Sequence, residues 1–277
     1  MSSTATLQAQ PGIDSHYPLT ADQIAAFRRD GFVKLKHVLS AEVLAHYGDI
    51  ITAEVKRLNT MHLPIEKRDT YNKAFLQVGN IWTHNETVKE FCMSRRLARI
   101  AAELMGVKGV RMYHDQALYK EAGGGITPWH ADQFYWPFAG DNCVTVWIPL
   151  QETPAELGPL AFGVGSHRSK VGRDITISDE SEARIGRSMR EQNFKVVNTP
   201  FDLGEVSYHY GWTFHRADPN VSDRARRVMT IIYMEDGMRL APPARLNHEQ
   251  DRNAFMSDVE VGAVIDGKLT PVIYRAD

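Results

Sequence analysis

The stretch PWHADQFYWPF, residues 128–138, holds the chain's single His-x-Asp, followed by four aromatic residues between positions 134 and 138. On a β-strand the side chains at i and i+2 point to one face. His130 and Asp132 would then share a face, with Ala131 turned away. An imidazole and a carboxylate aimed at one point make two-thirds of a 2-His-1-carboxylate facial triad, the arrangement that leaves open positions on non-haem ferrous iron. That requires residues 128–132 to be a strand inside a β-rich core, so the flanking sequence decides the matter.

Downstream, short strand-like runs follow one another: GVRMYHDQALYKE (109–121), TPWHADQFYW (127–136), CVTVWIPLQE (143–152), GPLAFGVG (158–165), GEVSYHY (204–210), WTFHRAD (212–218), RRVMTIIYME (226–235) and TPVIYRA (270–276). Gly, Pro or Asn separates them. Upstream the pattern is helical. LTADQIAAFRRDGF (19–32) has Thr20 as N-cap and Ile24 and Phe27 on one face. GFVKLKHVL (31–39) is a short strand, and SAEVLAHYGDIITAEVKRL (40–58) is a helix capped by Ser40, with Leu44, Tyr47, Ile51, Val55 and Leu58 at helical spacing. ETVKEFCMSRRLARIAAELMG (86–106) is helical, broken near Ser94 and stopped by Gly106. Helices first and many strands afterwards predict a mainly β fold with helices packed outside a sandwich or barrel. Residues 1–18 are expected to be a loose tail, and the charged insertion 170–195 to contain a helix starting at Ser178.

The bulk chemistry excludes several classes. With 277 residues, 43% apolar, 24% charged and a net charge of −2, the chain can bury a large core and lacks the basic surface that nucleic acid demands. It has no apolar run of ~18 residues, so no spanning helix is expected. The N-terminus has no basic and apolar regions of a signal peptide. Cys92 and Cys143 sit in apolar surroundings and are expected to be reduced in a cytoplasmic protein. No membrane or nucleic-acid partner is expected; a homodimer is compatible with the sequence.

The third ligand should come from a distant strand. YHYGWTFHRADPN (208–220) offers His209 and His215. His215, just before the DPN turn and 85 residues after His130, is preferred. His209 would face the same way only if the backbone stayed extended through Gly211. A competing pair, His84 and Glu86, falls where Thr83 and Glu86 make a capping-box pattern, and i and i+2 diverge in a helix. His167, after a tight Gly turn, reads as a hydrogen-bonding surface residue.

HADQFYWP (130–137), VTVWIPLQE (144–152), GPLAFGVGSHR (158–168), GWTFHRADPN (211–220) and RARRVMTIIY (224–233) stand in the order and spacing of the phytanoyl-CoA dioxygenase-like family of Fe(II)/2-oxoglutarate oxygenases, which the chain resembles over roughly residues 20 to 235. The resemblance implies a double-stranded β-helix (jelly-roll, cupin-like) core. It also implies Fe(II) held by His130, Asp132 and His215, with 2-oxoglutarate and O2 as co-substrates. On it, residues 19–277 form one oxygenase domain: a mostly helical flank over 19–107 and a jelly-roll core over 108–277 with a lid insertion near 170–195.

2-Oxoglutarate needs a buried forked cation for its far carboxylate, which favours Arg over Lys. Arg224, Arg226 and Arg227 are available after the distal histidine, and positions 226, 228, 230 and 232 share a strand face. The family places this Arg eleven residues after that histidine, at Arg226. The resemblance further implies that Thr145 donates to the same carboxylate, that Trp147 walls the site, and that Lys120 reaches the co-substrate. Gln133, Tyr135 and Trp136 are expected at the pocket mouth, and residues 62–82 and 170–195 as lids. The implied reaction is hydroxylation of a C–H bond in a small molecule, releasing succinate and carbon dioxide. Asp132 argues against halogenation, since related halogenases have a small residue there. Desaturation, epimerisation, cyclisation or epoxidation would use the same machinery. A metal-binding jelly roll without oxygen chemistry would have no reason to bury Arg226.

Overall fold

The computed structural model describes residues 12–276. Its helices are α1 (Ala21–Asp30), α2 (Ala41–Leu58), α3 (Thr70–Ala74), α4 (Glu86–Cys92), α5 (Arg95–Met105), α6 (Asp179–Glu191) and α7 (Leu246–Phe255). The strands are β1 (Phe32–Leu35), β2 (Leu76–Gly79), β3 (Gly109–Tyr119), β4 (Thr127–His130), β5 (Cys143–Pro149), β6 (Leu160–Gly163), β7 (Val196–Asn198), β8 (Val206–Tyr210), β9 (His215–Ala217), β10 (Val228–Glu235) and β11 (Val272–Arg275). They form a 7-stranded sheet, ordered β1-β8-β5-β10-β3-β11 with β2 also on β3, and a 4-stranded sheet, ordered β4-β9-β6-β7. Every strand pairing is antiparallel.

Alternation along the central strands separates core from site. Val144, Val146 and Ile148 of β5, Val206 and Tyr208 of β8, and Met229, Ile231 and Tyr233 of β10 pack with the buried faces of α2 and α5. The residues between them, including Thr145, Trp147, His209 and Thr230, face a cavity on the other side. The period of two thus turns one face of the large sheet to the helices and the other to chemistry.

The N-terminal helices follow their caps. Thr20 and Gln23 make a capping box on α1, and Ser40 caps α2. Ser94 breaks the third helical stretch and caps α5, which ends at Gly106 in the left-handed conformation. Four expectations need correction. Asn85, not Thr83, caps α4, its side chain accepting from the amides of Thr87 and Val88. Residues 12–18 are not loose: Ile13 is buried, its carbonyl accepts from Ser94 Oγ at 2.7 Å, and Asp14 accepts from the Arg95 amide at 2.7 Å. Residues 1–11 lie outside the described residues. Within the presumed lid 62–82, β2 is instead an integral strand on β3. The insertion 170–195 does start its helix at Ser178, but Glu182 accepts from the Trp129 amide at 2.9 Å, and Ile185 and Met189 pack on Trp129, so α6 is fastened to β4.

One glycine supports Arg226, which lines the cavity. Gly158 has φ +66, and a Cβ there would stand 2.2 Å from the Asp218 carbonyl oxygen. Its own carbonyl accepts from Arg226. Gly158→Ala combines a left-handed backbone with a backbone clash, so a loss of about 2 kcal/mol or more is expected. Denaturant melting measures it; a melt matching the wild type would refute the strain.

Candidate metal centre

β4 ends at His130, directly opposite His215 on β9. The strand does not run on to Asp132, as i and i+2 sharing one strand had required. Ala131 stays extended and Asp132 opens a single 3-10 turn, Asp132–Phe134. The carboxylate swings back over the end of the strand and reaches the same point by a different route. One ligand atom from each of His130, Asp132 and His215 lies within 4.8 Å of the others. Among the described residues this is the one such group of three or more His, Cys, Asp or Glu.

Backbone carbonyls fix the rings. His130 Nδ1 lies 2.7 Å from the Pro128 carbonyl and His215 Nδ1 lies 2.9 Å from that of Thr213. A carbonyl only accepts, so Nδ1 carries the hydrogen in each ring and the neutral imidazole presents a lone pair at Nε2. Burial, then the neighbouring His215, pushes His130 below the ordinary imidazole value. Both Nε2 atoms face Asp132 Oδ1, at 3.5 Å from His130 and 3.4 Å from His215.

His209 behaves differently. Its Nε2 is 3.2 Å from Asp132 Oδ2, and since a carboxylate only accepts, this nitrogen carries the hydrogen. The Thr145 hydroxyl donates to the same oxygen at 2.8 Å. Asp132 is therefore held from behind by two donors while Oδ1 faces the two lone pairs. From the sequence His209 reads only as a rival ligand; its place beside Thr145 across the β5–β8 pairing is what lets it serve Asp132 instead. Thr145 is a correction too. Its one O–H hydrogen goes to Asp132, so it is not free for the far end of a co-substrate.

Two lone pairs and a carboxylate oxygen facing one another repel, and a divalent cation between them turns that repulsion into coordination. Two imidazoles with one carboxylate suit ferrous iron. The residues present fit the metal.

Arg226 lines the same cavity, of about 450 Å³. Arg226 is 2% exposed, donates to the Gly158 carbonyl, and leaves its buried Nε without a partner. Among the described residues no carboxylate pairs with it, and burial pushes it down to about 9. A desolvated, unpaired guanidinium fits a carboxylate ligand. Trp147 lines the cavity with the guanidinium carbon 5.3 Å from its ring centroid. Arg227 turns away to Gln151 and Arg224 is exposed.

Lys120 is buried and forms a backbone bridge with Arg226, but its Nζ donates to the carbonyls of Gly125 and Asp218 and does not line the cavity. Burial, then Arg226, pushes it down to about 6. Its role is to tie two loops together, which corrects the expectation that it reaches a co-substrate. Gln133 is likewise corrected: it braces the turn, donating to Gly140 and Asp141, while Tyr135 and Trp136 do line the cavity. His84 is exposed and His167 stacks on Tyr210, both away from the cavity. Missed from sequence were the cavity residues of α7, Asn247, Asp251 and Phe255, because that helix carries little apolar periodicity.

The sequence pattern described as phytanoyl-CoA dioxygenase (PhyH) matches residues 27–228. A probable alpha-ketoglutarate-dependent hypophosphite dioxygenase of Stutzerimonas stutzeri is 24% identical over 230 residues, covering 77% of this chain and 78% of its own. Among solved structures, the non-heme alpha ketoglutarate dependent carbocyclase SnoK from nogalamycin biosynthesis superposes with TM-score 0.76 at 21% identity, over 92% of this chain and 97% of that one. The epimerase SnoN, solved with Fe3+, alpha ketoglutarate and nogalamycin RO, superposes with TM-score 0.74 at 24% identity, over 91% and 98%. These neighbours share the jelly-roll fold with helices outside it. With the family pattern spanning the cavity-bearing strands from β1 to the start of β10, the chain belongs to the phytanoyl-CoA dioxygenase (PhyH) family.

Proposed function

We propose that this Fe(II)/2-oxoglutarate-dependent dioxygenase hydroxylates a C–H bond of a small organic molecule, with His130, Asp132 and His215 holding the metal and Arg226 holding the far carboxylate of 2-oxoglutarate. Ferrous iron, with O2 and 2-oxoglutarate, supplies the oxidising power that breaks the C–H bond, one oxygen atom going to the substrate and one to succinate as carbon dioxide leaves. The protein's residues do the rest. Backbone carbonyls orient the two imidazoles, Thr145 and His209 aim the carboxylate, and Trp147 walls the co-substrate end. Tyr135 and Trp136 stand at the substrate side. The observation that carries this reading is the set of two imidazole lone pairs and Asp132 Oδ1 facing one another with the buried, unpaired Arg226 in the same cavity. Incubation with Fe(II), 2-oxoglutarate and metabolite panels should release succinate and an oxygenated product. Equal turnover with zinc would overturn it in favour of hydrolysis.

His209 supplies a sharper check. Removing a donor behind a metal-binding carboxylate typically costs 10–100-fold in metal affinity. His209→Ala should weaken Fe(II) or Mn(II) binding by about that factor, measured by equilibrium titration, while His209→Gln, which keeps an N–H donor, restores most of it. Unchanged affinity in His209→Ala would show that Asp132 needs no such support.

A further inference from the structure

We infer that the substrate carries a cationic nitrogen, an ammonium or amidinium group, received by Asp251 within the aromatic wall of the cavity; this rests on the oxygenase reading of the same site. Asn247, Asp251 and Phe255 are spaced four apart on α7, so they share one helix face, and all three line the cavity. A helix laid down only for packing turns an apolar face inward. This one turns an amide, a carboxylate and a ring toward the site, and none of its own residues is fully buried, Asp251 and Phe255 being half-buried. It lies beyond residues 27–228, so the family pattern does not account for it.

Asp251 accepts a hydrogen bond from the Tyr113 hydroxyl at 2.7 Å. No Lys or Arg among the described residues forms an ion pair with it. Burial raises its carboxyl to about 7, only partly offset by Tyr113. Tyr71, Phe75, Tyr135, Trp136 and Phe255 line the same space. Rings beside a carboxylate make a receptor for a cation, through their negative faces and the charge together.

Charge balance points the same way. The two charges of ferrous iron and the one of Arg226 offset Asp132 and the two carboxylates of 2-oxoglutarate. Lys120 does not line the cavity, its Nζ donating instead to the carbonyls of Gly125 and Asp218. Among the described residues no cation offsets Asp251 when it is ionised, and a cationic ligand would hold it ionised.

The probes are phenethylammonium and its neutral counterpart 2-phenylethanol. Each is titrated anaerobically into the full chain loaded with Fe(II) and 2-oxoglutarate, with binding read from tryptophan fluorescence. The ammonium should bind at least ~10-fold more tightly. Asp251→Asn, whose amide oxygen still accepts from Tyr113, should abolish the difference, and Asp251→Glu should keep it. Equal affinities in the wild type, or a preference that survives Asp251→Asn, would overturn the inference. The visible charge-transfer band of the iron–keto-acid complex is recorded in the same samples. Its absence would count against the oxygenase reading, whereas the fluorescence difference between the probes decides the Asp251 assignment either way.

Discussion

With His215 replaced by alanine, metal retention and succinate release should fall together, by well over the ~100-fold that marks the upper end for residues behind the ligands. The reason lies in the ring's fixed tautomer. His215 Nδ1 is tied to the Thr213 carbonyl at 2.9 Å, so its Nε2 lone pair is already aimed beside that of His130, the ring centroids 4.1 Å apart. Alanine removes one of three donors and leaves a bidentate site that cannot hold a divalent ion against water. The metal-free protein should lose much less. Its folded state carries the mutual repulsion of two lone pairs and a carboxylate oxygen, and the substitution relieves part of it. The diagnostic pair is therefore a near-wild-type melting temperature without metal and the loss of the stabilisation that Fe(II) or Mn(II) gives the wild type. His209→Ala should keep a weakened form of that stabilisation, because its nitrogen donates to Asp132 rather than to the ion. A His215→Ala protein that binds metal within threefold of the wild type would dismiss it as a ligand.

The contrast between these two histidines marks where the sequence stops being informative. The fold class was legible because β5, β8 and β10 each combine an apolar face for the helices with a second face for the cavity, and because α1, α2 and α5 announce themselves through Thr20, Ser40 and Ser94. The positions of His130 and Asp132 were legible as a pair, although the route differed: a 3-10 turn, invisible as periodicity, brings Asp132 round. Hydrogen-bond direction was not legible. Whether Thr145 donates to a co-substrate or to Asp132, and whether Lys120 faces a cavity or the carbonyls of Gly125 and Asp218, depends on tertiary distances that no local pattern encodes. The same holds for α7. Its cavity face mixes Asn247 and Asp251 with Phe255 and none of its residues is fully buried, so the apolar stripe that identifies a packed helix is missing.

Arg226 carries the other large expected effect, and its two halves have opposite signs. Arg226→Met keeps the volume and removes the charge. In the protein without co-substrate, that charge is buried, lacks an acidic partner among the described residues and has been driven down to about 9 by desolvation alone. A shift of that size in a fully buried group is a folding cost on the order of a few kcal/mol. The hydrogen bond to the Gly158 carbonyl recovers part of it. Replacing an unfavourably buried ion by a well-packed apolar side chain is often neutral or stabilising, so Arg226→Met should melt at or above the wild type when both are free of 2-oxoglutarate. With 2-oxoglutarate present the order should reverse. The far carboxylate then enters a cavity walled by Trp147 and Leu160 with no cation to meet it, and stranding a buried charge costs about 3–5 kcal/mol, or roughly 100-fold and upward in affinity. The KM for 2-oxoglutarate should rise by that factor, and the co-substrate should no longer raise the melting temperature. Arg226→Lys should recover only part of the affinity, because a point charge cannot match the two carboxylate oxygens as a fork does. An Arg226→Met protein with unchanged affinity for 2-oxoglutarate would move the co-substrate away from this end of the cavity, and the buried guanidinium would then have no ligand to justify its desolvation.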